Sequence, residues 1–564
     1  MTAFRITPAR SIFTGADGDH AFDLDTPGDD SLTVDAGAFL IAAGANADGT
    51  RLGPTGAWTV VVNGAVASDR SSGLVLAAGN AAVSTITVGT EGEVTGNWEG
   101  LRLESASTVT NHGLIAATSL VGFGISILGP GTHRITNTGT IDATISIRDS
   151  GELSHEQVTN SGTLLGAMHL AGGDDTITNS GLIGDHDGTH AIDLGAGTDK
   201  LVNTGTIEIN VSDHGGGADR IENSGLMDGS IYLADGGDTI INTGQIGSRV
   251  TDHVSLNGGA DVFTNYATVD GVVVSGTVVG RIILGGGNDR FLGGATAETV
   301  QDGNGADSVA LGGGNDIYVG QGAAIGGDGL DAISGGTGID TYDASSAFYS
   351  ATVNLDTVVH DLSPYFPGSS RMDAGSAKGS TLAGAGADRI SGFENAKGGS
   401  GADILYGSGG ANVLEGNDGA DHLLGYGGND RLAGGAGLDN LTGGTGRDVL
   451  TGGAGADYFH FIGTGDSGTT STTRDLVTDF AGGGQDVIAL DRIDAKAGTT
   501  ANDTFTFIGT NVGFSGRAGE LRSVWTATGQ RVQGDVNGDG AADFAIELTD
   551  AAHAITLTEA DFVL

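Results

Sequence analysis

The sequence predicts an all-β chain: a right-handed parallel β-helix continuing into a parallel β-roll, with a small β-rich C-terminal domain. Three observations carry this prediction. An Asn-x-Gly turn with apolar flanks recurs seven times between 109 and 246, and a degenerate eighth copy follows at 264–269. Seven nonapeptides succeed one another without a break over 398–460. Gly supplies 105 of the 564 residues, and short Val, Ile and Thr runs fill the spaces between. So much Gly makes long helices costly, whereas β-branched residues favour strands. With only 6 Pro and no Gly-x-y period, a collagen-like chain is excluded.

Residues 1–50 read as an N-terminal cap or irregular segment, with acidic stretches such as Asp17-Gly18-Asp19 and Asp29-Asp30. From Trp58 the texture changes to strands, as in Trp58-Thr59-Val60-Val61-Val62. The β-helix is assigned to 51–280. Its motif reads VTNHGLI at 109–115, ITNTGTI at 135–141, VTNSGTL at 158–164 and ITNSGLI at 177–183, then LVNTGTI, IENSGLM and IINTGQI up to 246. The Asn residues at 111, 137, 160, 179, 203, 223, 242 and 265 lie 19–26 residues apart, the length of one solenoid coil. Stacked coils would place these Asn side chains in register at a tight turn, with the following Gly relieving a positive φ. A β-sandwich with Asn-rich hairpins has no reason to repeat one turn in this way.

A Gly-rich acidic loop is interleaved with the Asn turns: AGGDDTI at 171–177, GAGTDKL at 195–201, GGGADRI at 215–221, ADGGDTI at 234–240 and NGGADVF at 257–263. Over 281–345 this loop takes over as a first set of repeats. Asp307 and Asp316 are nine residues apart there, as are Asp331 and Asp340. Residues 346–387, with Pro364 and Pro367, break the rhythm and read as an insertion or loop. The spacing resumes at Asp388, the main roll runs over 388–461, and 462–564 forms the end domain.

Charge points to the chemistry. The chain carries 24 Lys plus Arg against 70 Asp plus Glu, a net charge of -46. Such a field repels phosphate backbones, which excludes nucleic acid as a partner, and it opposes compaction unless cations neutralise it. Cysteine is absent, which excludes disulfides, thiol nucleophiles and Cys-ligated metals. In the nonapeptides an acidic residue falls at 403, 421, 430, 439, 448 and 457, with Asn at 412, and an apolar residue follows two positions later. Two nonapeptides make one coil, so each Asp faces the Asp 18 residues on. Rows of stacked carboxylates are intolerable without a cation between successive turns. Glycines aim backbone carbonyls at the same ion, and an oxygen-only cage suits Ca²⁺. The predicted ligands are Asp289, Asp307, Asp316, Asp331, Asp340, Asp388, Asp403, Asp421, Asp430, Asp439, Asp448 and Asp457, which hold multiple Ca²⁺ ions. Roughly four to six of these ions belong to the 398–460 block.

These nonapeptides resemble the G-G-x-G-x-D-x-U-x repeats of the RTX (hemolysin-type) calcium-binding β-roll family. Asn412, and Ser408 in place of a Gly, depart from the pattern. The segments RDLVTDFAGGGQDVIALDRIDA at 475–496, DTFTFIG at 503–509 and GDVNGDGAADFAIEL at 534–548 resemble the C-terminal domain of serralysin-type metalloproteases. That resemblance implies calcium binding and export by a type I secretion ABC transporter. The ending Ala560-Asp561-Phe562-Val563-Leu564 is similar to the signal this system reads. No classical signal peptide opens the chain, and no run of 18 apolar residues provides a transmembrane segment. Asp535-x-Asn537-x-Asp539-Gly540 is similar to half of a helix-loop-helix calcium loop, but Ile546 stands where the closing Glu belongs. A Gly-rich turn between two strands is the preferred reading.

A zinc protease needs H-E-x-x-H, and His155-Glu156 lacks the second His. β-Helices also host polysaccharide lyases, hydrolases and epimerases. Candidates for such chemistry are Asp185-His186-Asp187 with His190, Asp213-His214 and Asp252-His253. Lys200 is the sole Lys before 378, so little neutralises an acidic polysaccharide substrate. No convincing catalytic cluster emerges, and the reading favours a non-enzyme. The expectation is a secreted, extracellular or cell-surface calcium-binding β-solenoid with a structural or adhesive role. Its partners would be a cell-surface polysaccharide or further copies of itself.

Overall fold

The computed structural model describes every residue except 1–2, 16–19, 25–29, 45–46, 54–55, 78–82, 151–153, 187, 189–190, 321–328, 348–349, 362–370, 380–387, 499–501 and 550–554. The described residues are almost entirely β and largely parallel, a repetitive solenoid of stacked coils. Two short 3-10 turns, Pro8–Arg10 and Glu559–Asp561, are the helical elements among them, and no helix is long and apolar enough to cross a membrane. The chain divides into two compact units, Met1–Glu298 and Thr299–Leu564.

In the first unit a coil is built from a strand such as Thr176–Asn179, a tight Asn-x-Gly turn, and strands Leu182–Gly184 and Ala191–Asp193 on the facing sheet. The next coil repeats it with Lys200–Asn203, Thr206–Ile207 and Asn210–Ser212. Pairing is parallel and in register, so Ile177, Leu201, Ile221, Ile240 and Phe263 form one buried column. Ile183, Ile207, Met227 and Ile246 form a second column opposite the first. One coil contributes about three such side chains, each stabilising by about 1.5–3 kcal/mol when fully buried. A single coil cannot offset its own ordering entropy, and stacking is what completes the core.

The recurring Asn stack as expected from their spacing. The side-chain amide of Asn179 donates to Oδ1 of Asn203 at 2.8 Å, and Asn203 donates to Asn223 at 2.8 Å in the same way. Each amide also donates to a carbonyl of the next coil, as Asn179 does to Thr206 at 3.1 Å. The column runs from Asn111 to Asn265, fully enclosed, and its last amide donates to Glu298 Oε1 at 2.8 Å.

Where a cap or irregular segment is expected, strands Ala3–Ile6, Asp30–Val34 and Phe39–Ala42 already pair in parallel with the coils that follow. Leu32 and Leu40 enter the core there. The intervening acidic stretches hide this alternation in the sequence. Past Asn265 an antiparallel hairpin, Tyr266–Val269 with Val272–Ser275, leaves the coil, and Val272 and Val273 are each 63% exposed.

In the second unit, strands Ile404–Ser408, Val413–Asp418, His422–Gly428, Arg431–Gly437, Asn440–Gly446 and Val449–Gly455 alternate between two facing sheets. Leu405, Leu423, Leu441 and Phe459 stack on one side, and Leu414, Leu432 and Leu450 on the other. Within 346–387 two antiparallel pairs occur, Ala351–Asn354 with Ser376–Gly379 and His360–Asp361 with Arg371–Met372. Pro364 and Pro367 lie outside the described residues.

The end domain adds an antiparallel meander, Glu520–Trp525, Gly529–Asp535 and Phe544–Thr549. Leu476–Val477 joins it to the roll by pairing with Glu547 and Leu548. The last strand, Phe562–Val563, pairs with Ile488 and Ala489, and the buried Asp561 accepts N–H groups from Gly484 at 2.9 Å and Thr558 at 2.7 Å. The 535–543 loop joins two strands of the meander. Its carboxylates are engaged by backbone: Asp535 accepts from Gly538 and Gly540, and Asp543 from Val536.

Candidate metal centre

Each nonapeptide ends a strand in a Gly-x-Asp turn, and the turns stack. On one edge of the roll the backbone N–H of Asp403 donates to Asp421 Oδ1 at 2.7 Å, Asp421 to Asp439 at 2.8 Å, and Asp439 to Asp457 at 3.0 Å. On the other edge Asn412 donates to Asp430, and Asp430 to Asp448, both at 2.8 Å. Oδ1 thus serves the fold. The second oxygen, Oδ2, is buried without a hydrogen-bond partner in Asp421, Asp430, Asp439, Asp448 and Asp457.

The glycines explain what surrounds that oxygen. Gly437 has φ 147°, and a Cβ there would collide with the carbonyl of Gly419 in the previous coil. A Cβ on Gly434 would fall into the space shared by Asp439 Oδ2 and the carbonyl oxygen of Gly452, and Gly416 relates in the same way to Asp421 and Gly434. A carboxylate oxygen and a carbonyl oxygen therefore face one small recess per turn, with no N–H aimed at it. Stacked parallel strands are about 4.8 Å apart. Two ionised carboxylates at that spacing repel by about 3 kcal/mol at an effective dielectric of 20.

The same crowding appears in the acidities. Burial pushes Asp421 up to about 8, Asp430 to about 7, and Asp439 and Asp448 to about 6. The N–H donated by the column member one coil back offsets part of this, and neighbouring carboxylates add to it. Such sites take up either protons or cations. All-oxygen, anionic and glycine-walled, they fit a hard divalent ion such as Ca²⁺.

The remaining predicted residues fall into shorter stacks. Asp307 donates its N–H to Asp331 Oδ1 at 2.7 Å, and Asp331 donates to Asp388 at 3.3 Å. Asp316 donates to Asp340 at 2.9 Å, and Asp340 to Glu394 Oε2 at 2.8 Å. Asp403 begins its column with both oxygens occupied, accepting from Ala351 at 2.5 Å and Gly399 at 2.6 Å. Asp289 lies in the first unit, buried, and accepts the N–H of Asp261 at 2.8 Å. Asn412 behaves unlike its aspartate neighbours, because its amide donates to the Glu394 carbonyl at 2.6 Å.

Several members were not foreseen. Asp475 and Asp486 extend the two edges, accepting from Asp448 at 2.8 Å and Asp457 at 3.0 Å. They keep the apolar residue two positions on, Val477 and Ile488, but lie 27 and 29 residues from their donors instead of the 18 of the roll's coils. Asp302 joins Asp307 and Asp331 in a buried group whose ligand atoms all lie within 4.8 Å of one another. Tyr318 donates its hydroxyl to Asp302, and burial pushes that carboxyl up to about 9.

Among the described residues this all-Asp group is the one set of three metal-ligating side chains brought together, and no histidine shares in it. The histidines weighed for catalysis stand in separate pairs. His186 meets Asp142 at 2.8 Å, His214 meets Asp193 at 3.0 Å, and His253 contacts the Thr251 carbonyl at 3.3 Å. Asp213 and Asp252 are taken up by local backbone N–H groups. Asp187 and His190 lie outside the described residues.

Comparison with known proteins agrees with this geometry. The family model for the RTX calcium-binding nonapeptide repeat matches residues 292–322 and 397–432, and that for the peptidase M10 serralysin C terminal matches 420–564. No curated protein matches the chain. Among 31 matching solved chains is the solution structure of the AlgE6R3 subunit from the Azotobacter vinelandii mannuronan C5-epimerase. It is 27% identical, with 29% of this chain and 78% of that chain covered and a TM-score of 0.15. Residues 292–322 and 397–432 thus carry RTX calcium-binding nonapeptide repeats, and 420–564 a serralysin-type C-terminal domain.

Proposed function

We propose that the chain is a secreted or cell-surface protein whose second unit folds when its aspartate columns bind extracellular Ca²⁺. The observation that carries this reading is the row of buried, unpartnered Oδ2 atoms in Asp421, Asp430, Asp439, Asp448 and Asp457. Asp289, Asp307, Asp316, Asp331, Asp340, Asp388 and Asp403 complete the proposed ligand set. Without ions, a chain of net charge -46 with a slender core is held extended by its own repulsion, a state suited to passage through a type I ABC transporter. Outside the cell, ions neutralise the columns, and folding stabilises the product and opposes its return. The folded protein then serves a structural or adhesive role, presenting regular solenoid faces to a surface polysaccharide or to other copies.

Calcium titration of the full chain, followed by far-UV circular dichroism and isothermal calorimetry, tests this reading. The expected result is a cooperative gain of β-structure at about 0.1–1 mM Ca²⁺ that Mg²⁺ does not reproduce. Complete β-structure in EDTA with no ion uptake by the second unit would overturn it.

A further inference from the structure

The acidic loops of the first unit repeat the turn seen in the roll. Gly173-x-Asp175, Gly197-x-Asp199, Gly217-x-Asp219, Gly236-x-Asp238 and Gly259-x-Asp261 stack coil on coil. The N–H of Asp175 donates to Asp199 Oδ1 at 2.7 Å, Asp199 to Asp219 at 2.8 Å, Asp219 to Asp238 at 2.8 Å, and Asp238 to Asp261 at 2.7 Å. Gly197, Gly217 and Gly259 have φ between 147° and 151°, and a Cβ on each would collide with the carbonyl of the equivalent glycine one coil back. The turn is therefore the same as in the roll, although the coils are 19–24 residues long instead of 18.

A second observation shows that the column is incomplete on its own. Asp175, Asp199, Asp219, Asp238 and Asp261 are each at most 2% exposed, and Oδ2 of every one is buried with no hydrogen-bond partner. The basic side chains on the same strands do not serve them, since Lys200 and Arg220 both reach Glu222, at 3.1 Å and 2.6 Å. The opposite end of each strand supplies the internal comparison. Asp175 and Asn179, Asp199 and Asn203, Asp219 and Asn223, Asp238 and Asn242, and Asp261 and Asn265 sit four residues apart. The Asn column closes itself because an amide carries donor and acceptor together, whereas a carboxylate has no donor to offer. Asn at the acidic positions would complete a neutral solenoid, as Asn412 does in the roll.

We infer that Gly173–Asp261 forms a second calcium ladder, a single file of Ca²⁺ sites along one edge of the first unit and outside the nonapeptide repeats. This rests on the reading that the Gly-x-Asp turns of the roll hold Ca²⁺, and carries that reading to coils of another length. Its upper end is set by composition. The same register runs back through His133, Ser107 and Ser84 to Trp58 and Asp30, and the unbroken acidic run starts at Glu156, whose carboxyl oxygens are both buried and unpartnered.

The test counts ions in the full chain. Calcium content after equilibrium dialysis at 5 mM, taken here as an order-of-magnitude excess of about tenfold over the expected affinity, is compared for wild type and two isosteric variants. One is D199N/D219N/D238N/D261N and the other is D421N/D439N/D457N. The first is expected to lose about four ions, one per gap between successive aspartates, and to keep those of the roll. Hydrogen exchange on the wild-type chain needs no variant, and peptides covering 171–265 are expected to exchange about tenfold more slowly with Ca²⁺ than with EDTA. An unchanged ion count in the first variant, or exchange at 171–265 indifferent to Ca²⁺, overturns the second ladder. If only the D421N/D439N/D457N variant loses ions, this inference falls and the proposed function stands. If neither does, both fall.

Discussion

The backbone N–H of Asp219 donates to Oδ1 of Asp238 at 2.8 Å, the same length as the bond from Asp421 to Asp439 in the other unit. One bond per coil thus ties a carboxylate to the turn below and leaves its other oxygen enclosed. The consequences differ according to what occupies that second oxygen, and several can be measured.

The first concerns protons. In the ion-free fold Asp421 is pushed up to about 8, Asp430 to about 7 and Asp439 to about 6, against about 3.9 in an unfolded chain. The folded state therefore binds protons more tightly, and its stability falls as pH rises from about 4 to about 8. In EDTA the second unit, extended at pH 8, should gain β-structure as the pH falls to 5. With saturating Ca²⁺ this dependence should weaken or reverse, because protons compete with the ion. Far-UV circular dichroism across this pH range checks the sign.

Replacing one column member by its isostere separates repulsion from binding. In EDTA, Asp439→Asn should regain β-structure at a higher pH than wild type, by about one pH unit for each ~1.4 kcal/mol of repulsion relieved. In Ca²⁺ the same variant should melt lower than wild type. A variant less stable in both conditions would show that Asp439 acts through packing alone.

The asparagine column should be indifferent to calcium. Asn203→Ala removes one acceptor of the enclosed Asn179 amide, its 2.8 Å partner in the column, and the donor to Asn223. The expected cost is about 1–3 kcal/mol, equal in EDTA and in Ca²⁺. Chemical denaturation followed by circular dichroism in both buffers measures it.

Gly437→Ala tests the close approach of adjacent turns. Its φ of 147° is strained for an L residue, and the added methyl meets the Gly419 carbonyl. A loss of about 3 kcal/mol is expected, together with weaker Ca²⁺ uptake by the same edge in calorimetric titration.

Legibility in the sequence followed spacing. Asp421, Asp430, Asp439 and Asp448 are evident because their interval never varies, and the eight Asn are evident because the residues around them are so alike. Asp475 and Asp486 escape that reading because 27 and 29 residues separate them from their donors. The acidic loops at Asp175 to Asp261 are visible as a repeat, but their unequal coils conceal a shared register that hydrogen bonding between coils reveals. Asp302 reaches its neighbours through the fold around Tyr318, a contact no local pattern announces.

The hairpin at 266–275 stands on two closely spaced feet, since the N–H of Gly276 returns to the Asn265 carbonyl at 2.9 Å. The coil resumes from there without a change of register, Thr277 pairing with Gln245. The four-residue strand between acidic and amide edges keeps a constant gauge. In the coils of Asn179 and Asn242 the extra length falls between Ile183 and Ile192 and between Ile246 and Val254, whereas in this coil the margin just past the amide absorbs it. That margin is a natural graft port: a foreign hairpin of similar span, exchanged for Tyr266–Ser275, would be displayed at the surface without disturbing the stack beneath it.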